Sequence, residues 1–241
     1  MVRPDERRPR RRLWAKLIVG LLGLAGLIWM LWPRPPAVQH GEPSEAGSAW
    51  RVEQRRAVLT GPTMGTAFNV VLAGDDFDLD ALAGLQAAID GELAAVNAEM
   101  STYLEDSELS RFNLSPAGQG FSASAHLLEV VALAKQVSEQ SGGAFDVTVG
   151  PLVDAWGFGP GDPTQRRELS DAEIASLRAV VGDDKLEVDR VGGRLRKTVD
   201  GLRVDLSAIA KGHGCDRVAA VVEAAGFTRY MVEIGGEVRV R

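Results

Sequence analysis

The sequence has one cysteine, Cys215, so no internal disulfide is available to it, whatever the redox compartment. It has three histidines, at 40, 126 and 213, and none has zinc-ligand spacing. It lacks a G-x-G-x-x-G run before a helix and a G-x-x-x-x-G-K-[ST] loop, which removes the common nucleotide-binding fingerprints. No Ser/His/Asp triad can be assembled from it, and no internal repeat is apparent. Positive charge is scarce over most of the chain. Residues 1–34 hold eight Lys/Arg against two acids, whereas the remainder holds 19 against 31. An acidic body excludes a nucleic-acid binder, which needs a basic face.

The one long apolar run lies at the start. Six arginines occur within residues 1–12, and from Leu13 to Trp32 only Lys16 interrupts twenty apolar-rich residues. Twenty helical residues span roughly 30 Å, a bilayer core. The arginines would stay cytoplasmic and direct the rest outward. The expectation is an uncleaved, single-pass anchor in the inner membrane, since no A-x-A-like cleavage site follows. Residues 33–49 are rich in Pro, Gly and Ser and read as a flexible tether. The folded domain is expected at 50–241, facing the periplasm or cell exterior.

Within that domain, AFNVVLA (67–73) reads as a strand. Leu82, Leu85, Ile89, Leu93, Val96 and Met100 recur at steps of three and four, which predicts a helix with one buried face, capped by Asp78 or Asp80. A short helix is expected at 107–113, and a longer one from Ser124 to Ser141, stopped by Gly142. Residues 142–162 read as irregular. Ser170-x-x-Glu173 is a capping box before Ile174, Leu177 and Val181. Hairpin signals follow at 185–189, 194–199 and 202–206, then a helix from Ser207 to Gly226, then a hairpin over 228–241. The fold class expected is α+β, a largely antiparallel sheet with packed helices. The last strand has no following partner, so the domain is expected to be C-terminally incomplete, either truncated or completed by something else.

Four islands carry chemistry. GPTMGT (61–66) holds Met64 between glycines, suited to lie against a planar ligand. EMSTYLEDSELSRFN (99–113) offers Tyr103 for stacking and Ser107 as a cap. GGAFDVTVGPLVDAWGFG (142–159) sets Phe145, Trp156 and Phe158 among glycines, with Asp146 and Asp154 between them, as in a ligand wall. RVDLSAIAKGHG (203–214) places Asp205 at a strand end and Lys211 in the first turn of a helix. Amides at a helix start favour anions and a lysine strengthens a phosphate site, while carbonyls and a carboxylate suit Mg²⁺. Each island alone also has an ordinary structural explanation, as a turn, a cap or a solvated lysine.

In this order, the islands resemble the ApbE family, the FAD:protein FMN transferases. The matching pieces are TMGT, MSTY with DSELSRFN, GAFDVTVGPLVDAWGFG, VDLSAIAKG and VEIGGEV, together spanning about Thr60 to Arg241. The resemblance implies that Met64, Tyr103, Ala144, Phe145, Asp146, Asp205 and Lys211 contact FAD, and that Ala208 offers Mg²⁺ a backbone oxygen. The implied activity is Mg²⁺-dependent transfer of FMN from FAD to a Thr/Ser hydroxyl on a partner subunit of a membrane redox complex, with release of AMP. Family members continue beyond the IGGE hairpin with a histidine proposed for catalysis and further Mg²⁺ ligands. The present sequence has none of these, so weak metal retention and poor turnover are expected, and the catalytic residues stay unassigned. His213 lies inside the lysine motif and is no substitute for the missing histidine. The competing readings are a membrane-tethered flavin-binding or scaffolding protein without catalysis, and an anchored solute-binding module.

Overall fold

The computed structural model describes the backbone at 39–40 and residues 47–160 and 167–241. The basic head, the expected membrane segment at 13–32 and most of the tether lie outside the described residues. Among the described residues, no helix is long and apolar enough to cross a membrane.

Five antiparallel pairings build the larger sheet. Its strands are β1 (Gln39–His40), β2 (Ala49–Glu53), β3 (Arg56–Thr63), β4 (Thr66–Ala73), β8 (Tyr230–Ile234) and β9 (Glu237–Val240), in that order across the sheet. β4 and β8 bury alternate residues: Phe68, Val70 and Leu72 on one, Tyr230, Val232 and Ile234 on the other. That period of two is what a sheet with one covered face requires. A smaller sheet has the order β5 (Phe121–Ser122), β7 (Arg194–Lys197), β6 (Leu186–Asp189), also antiparallel. The expected α+β class is therefore observed.

Helix α1 (Leu79–Met100) is the spine. Its buried residues include all six apolar positions of the periodic pattern, together with Gln86. Asp78 caps it by accepting from the N–H groups of Asp80 and Ala81. Twenty-two residues make a rod of roughly 33 Å, long enough to serve two cores. Its first half, Leu82 to Leu93, packs with β3, β4, β8 and the apolar face of α6 (Ala210–Ala224). Its last turn, Val96 and Met100, packs with α2 (Glu108–Leu114), α3 (Ala125–Gln140), the smaller sheet and residues 202–206. At about 2 kcal/mol per buried aliphatic side chain, this face alone accounts for roughly 12 kcal/mol of gross stabilisation before chain entropy is subtracted.

One hairpin was not expected, and two expectations need correction. Residues 49–63 form two strands that the sequence pattern conceals, because their turn uses Gln54 at φ +52° rather than glycine. A short helix, α4 (Gly150–Ala155), interrupts the segment read as irregular. Residues 202–206 do not form a hairpin strand: their only bridge is an isolated one, Arg203 to Val149. The capping box at Ser170 and Glu173 is present and opens α5 (Asp171–Arg178).

Candidate functional site

The two glycine-rich islands meet without a sheet. After α3, Gly142 and Gly143 turn the chain at φ +64° and +82°. Phe145 then packs on the second core, and the Asp146 carboxylate accepts from the Thr148 N–H and hydroxyl at 2.8 and 2.7 Å. The Val147 carbonyl accepts the Asp205 N–H at 2.8 Å. Three residues on, Gly150 lies flush against Arg203: a Cβ there would sit 2.7 Å from the Arg203 carbonyl oxygen. Asp146 and Asp205 are thus brought onto adjacent backbone.

Asp205 does not end a strand. Its Oδ1 accepts the Ser207 N–H at 2.7 Å, and the N–H groups of Ile209 and Ala210 both turn back to the Leu206 carbonyl. This tight turn delays the helix, so α6 starts at Ala210 rather than Ser207. Its N-cap is Ile209, which supplies no side-chain acceptor. Ala210 and His213 have backbone acceptors in Leu206 and Ile209, but no backbone bond joins Lys211 or Gly212 N–H to the turn before them. A helix start with free amides favours an anion. Lys211 belongs to no ion pair among the described residues.

The tips of two hairpins close on this helix start. Met64 turns β3 into β4 at φ +47°, and its Cε would meet a Cβ at Gly214 at 3.0 Å. The Lys211 stem runs past Gly235, where a Cβ would lie 3.1 Å from Cδ and 2.8 Å from Thr66 Cγ2. Gly235, at φ +54°, therefore keeps the β8–β9 turn close to the lysine. Met64, Phe145, Ile209 and Ala210 all border the second core, which also buries Met100, Leu109 and Phe112 and so gathers all four islands.

Tyr103 is 64% exposed, and its hydroxyl donates to the Phe158 carbonyl at 3.1 Å. Phe158 is exposed as well. This contact ties the MSTY loop to the aromatic end of the third island. Ala144 and Ala208 are exposed backbone positions.

An ion pair not foreseen from the sequence braces this wall. Arg203 meets Asp154 at 3.0 Å. Burial pushes the Asp154 carboxyl up, Arg203 opposes, and the nearby Asp205 charge pushes it up again. Asp154 stands out among the aromatics of the third island, but Arg203 had no local signal to mark it.

A cavity of about 390 Å³ opens on the other flank of α6, lined by Val130, Ala208, His213, Asp216 and Arg239 among others. Of the residues singled out above as ligand contacts, only Ala208 borders it. His213 is half-buried there; burial, then Arg217 and His126, lower its pKa. Cys215 is buried, and burial pushes its thiol up to about 11.

Among the described residues, no three of His, Cys, Asp and Glu come together as a metal-holding group. Mg²⁺ takes a nearly octahedral set of oxygens, of which the Ala208 carbonyl would be one.

A sequence model described as the ApbE family matches residues 64–241. A FAD:protein FMN transferase of Vibrio cholerae is 44% identical over 185 residues, covering 76% of this chain and 54% of that protein. Among solved structures, the flavin transferase ApbE from Vibrio cholerae aligns with a TM-score of 0.71 at 43% identity, covering 77% of this chain and 59% of that one. The apo flavinyl transferase ApbE of Pseudomonas stutzeri aligns with a TM-score of 0.70 at 34% identity, covering 79% and 62%. The chain spans about half the length of the curated relatives it matches.

Proposed function

The chain belongs to the ApbE family, and on that premise we propose that it binds FAD and transfers its FMN moiety to a Thr or Ser hydroxyl of a partner redox protein. In the balanced step, the hydroxyl oxygen bonds to the FMN phosphorus, the phosphoanhydride bond to AMP breaks, AMP leaves with the electron pair, and the hydroxyl proton passes to solvent or a base. Such a transfer depends mainly on holding the diphosphate in line and neutralising developing charge.

The single observation that carries this reading is the start of α6. Free Lys211 and Gly212 amides, an uncapped N-terminus and an ammonium without an acidic partner among the described residues sit together beside Met64. In the proposal the FAD pyrophosphate lies against those amides and Lys211. Met64 and Tyr103 border the isoalloxazine ring. Ala144, Phe145, Asp146 and Asp205 line the dinucleotide from the braced wall. Mg²⁺ would neutralise phosphate charge when bound, with Ala208 giving one backbone oxygen and the remaining ligands coming from outside the described residues. The arginine-rich head and the apolar run at 13–32 support an inner-membrane anchor. The domain would then face outward, toward an acceptor subunit of a membrane redox complex.

A second reading is a tethered flavin-binding protein without catalysis. One experiment separates the two. The full chain is incubated with FAD, Mg²⁺ and an acceptor subunit, and the acceptor is weighed by mass spectrometry. A gain of one FMN phosphoester supports transfer; FAD uptake with no gain leaves binding only. Lys211→Ala is expected to weaken FAD binding by about tenfold to a hundredfold, the worth of a charge-assisted contact. Unchanged affinity in the variant would remove the phosphate site from this helix.

A further inference from the structure

Leu202 and Val204 lie in the second core, on a segment with backbone groups that no sheet satisfies. Val204 is 1% exposed. Its N–H donates to Asn113 Oδ1 at 2.8 Å, and its carbonyl accepts from Asn113 Nδ2 at 2.9 Å. One carboxamide therefore does for Val204 what a neighbouring strand would do, across 91 residues of sequence. Only a group with a donor and an acceptor side by side can make both bonds: aspartate at neutral pH offers two acceptors, and leucine offers neither.

Asn113 is itself held. It sits in the last turn of α2, where backbone carbonyls lack helical partners. Lys197, 3% exposed, donates from Nζ to the Asn113 carbonyl at 2.7 Å and to the Leu202 carbonyl at 3.3 Å. A cation suits a helix C-terminus, and the ammonium lies 6.0 Å from the centre of the Phe112 ring. Lys197 has no ion pair among the described residues, so carbonyl oxygens are its anchors. The same ammonium spans both ends of the arrangement, α2 on one side and the start of the 202–205 segment on the other.

We propose that Asn113 and Lys197 are positioning residues for the dinucleotide site: by fixing the Val204 peptide they set Asp205, the Leu206–Ile209 turn and hence the direction in which α6 presents its amides. The proposal rests on the FAD reading above. Neither residue touches the ligand. Both act through the peptide that precedes Asp205, on the side of the segment turned toward the core.

The test uses the full chain and variants confirmed as folded by circular dichroism and thermal melting. FAD affinity is read by flavin fluorescence, and amide exchange is followed over residues 202–210. Folded Asn113→Asp is expected to bind FAD about tenfold more weakly near neutral pH, with faster exchange at Asp205 and Ser207. Acidification toward about pH 4 should narrow the gap to the parent at the same pH, because a protonated carboxyl can again donate to the Val204 carbonyl. Lys197→Met keeps the stem, loses both bonds, and is expected to cost about threefold to tenfold in FAD affinity. It serves as the second arm if Asn113→Asp does not fold. Parental affinity in a folded variant overturns the positioning role and leaves the FAD reading standing. If the parent takes up no FAD, the FAD reading fails and the positioning role falls with it.

Discussion

The Met64 side of the site and the Asp205 side are held by different means. Met64 and Gly235 sit at tips of hairpins whose arms belong to a continuous antiparallel ladder. Each backbone group there has neighbours that share the load, so one lost bond leaves the register intact. Residues 202–209 have no ladder. Val204 depends on one side chain, Asp205 on one carbonyl, and the turn on the Leu206 oxygen. A surface that must both stay in register and adopt an unusual path is thus built half from redundant bonds and half from single ones. The single ones are where substitutions should be felt.

The largest expected contrast follows from removing one polar group on each side. Asn113→Leu strands the buried N–H and C=O of Val204 and should lower stability by roughly 3 kcal/mol, read as a shift in the urea midpoint. Thr60→Val removes a long 3.4 Å contact from the ladder and should change stability by less than about 0.5 kcal/mol. Equal shifts would abolish the distinction between the two halves.

Glycine replacement sharpens it at a smaller scale. At Gly150 a new Cβ meets the Arg203 backbone oxygen at 2.7 Å, which cannot step aside, and Gly150→Ala should cost about 1–3 kcal/mol. At Gly214 it meets the ends of Met64 and Ile234 at 3.0 and 3.2 Å. The Met64 thioether can swing away, so Gly214→Ala should cost less than about 1 kcal/mol, helped by alanine's helix propensity. Thermal melts of both variants check the order.

The smallest effect concerns α6, where the two halves join. His213 has its folded pKa lowered by burial, Arg217 and His126, with Glu129 and Asp216 pulling the other way. Its Nε2 is buried without a hydrogen-bond partner. The unfolded chain therefore takes up this proton first as pH falls below 6.5. His213 contributes stability above that value, and the contribution is lost on acidification. His213→Phe should flatten the fall in urea midpoint between about pH 7 and pH 5. An identical slope in parent and variant would assign the fall to other groups.

Local signals made much of this fold legible. The period of α1 named the six apolar residues that are buried, and Asp78, Ser107, Ser124 and Ser170 cap the helices they precede. The four islands were legible as candidates because glycine, aromatic and charged side chains are costly to place together without use. What stayed hidden was non-local. LRVDL alternates like a strand, yet its partner is a side chain far away in sequence. Ser207 resembles a helix cap, yet Asp205 takes its N–H and the turn pushes the helix start to Ala210. The β2–β3 hairpin was masked by a turn without glycine and by Gly61 and Pro62 within its second strand.

Cys215 offers a use that needs no engineering. Its sulfur donates to the Glu237 carbonyl, and its raised pKa leaves only about one thiol in ten thousand ionised near neutrality. Cys215 borders the cavity beside α6 but is only 2% exposed, so an alkylating reagent should reach it slowly. The chain has no other thiol to confuse the count. The rate at which a single mass tag accumulates therefore reports how tightly α6 and β9 pack around that sulfur, and bound dinucleotide should slow it.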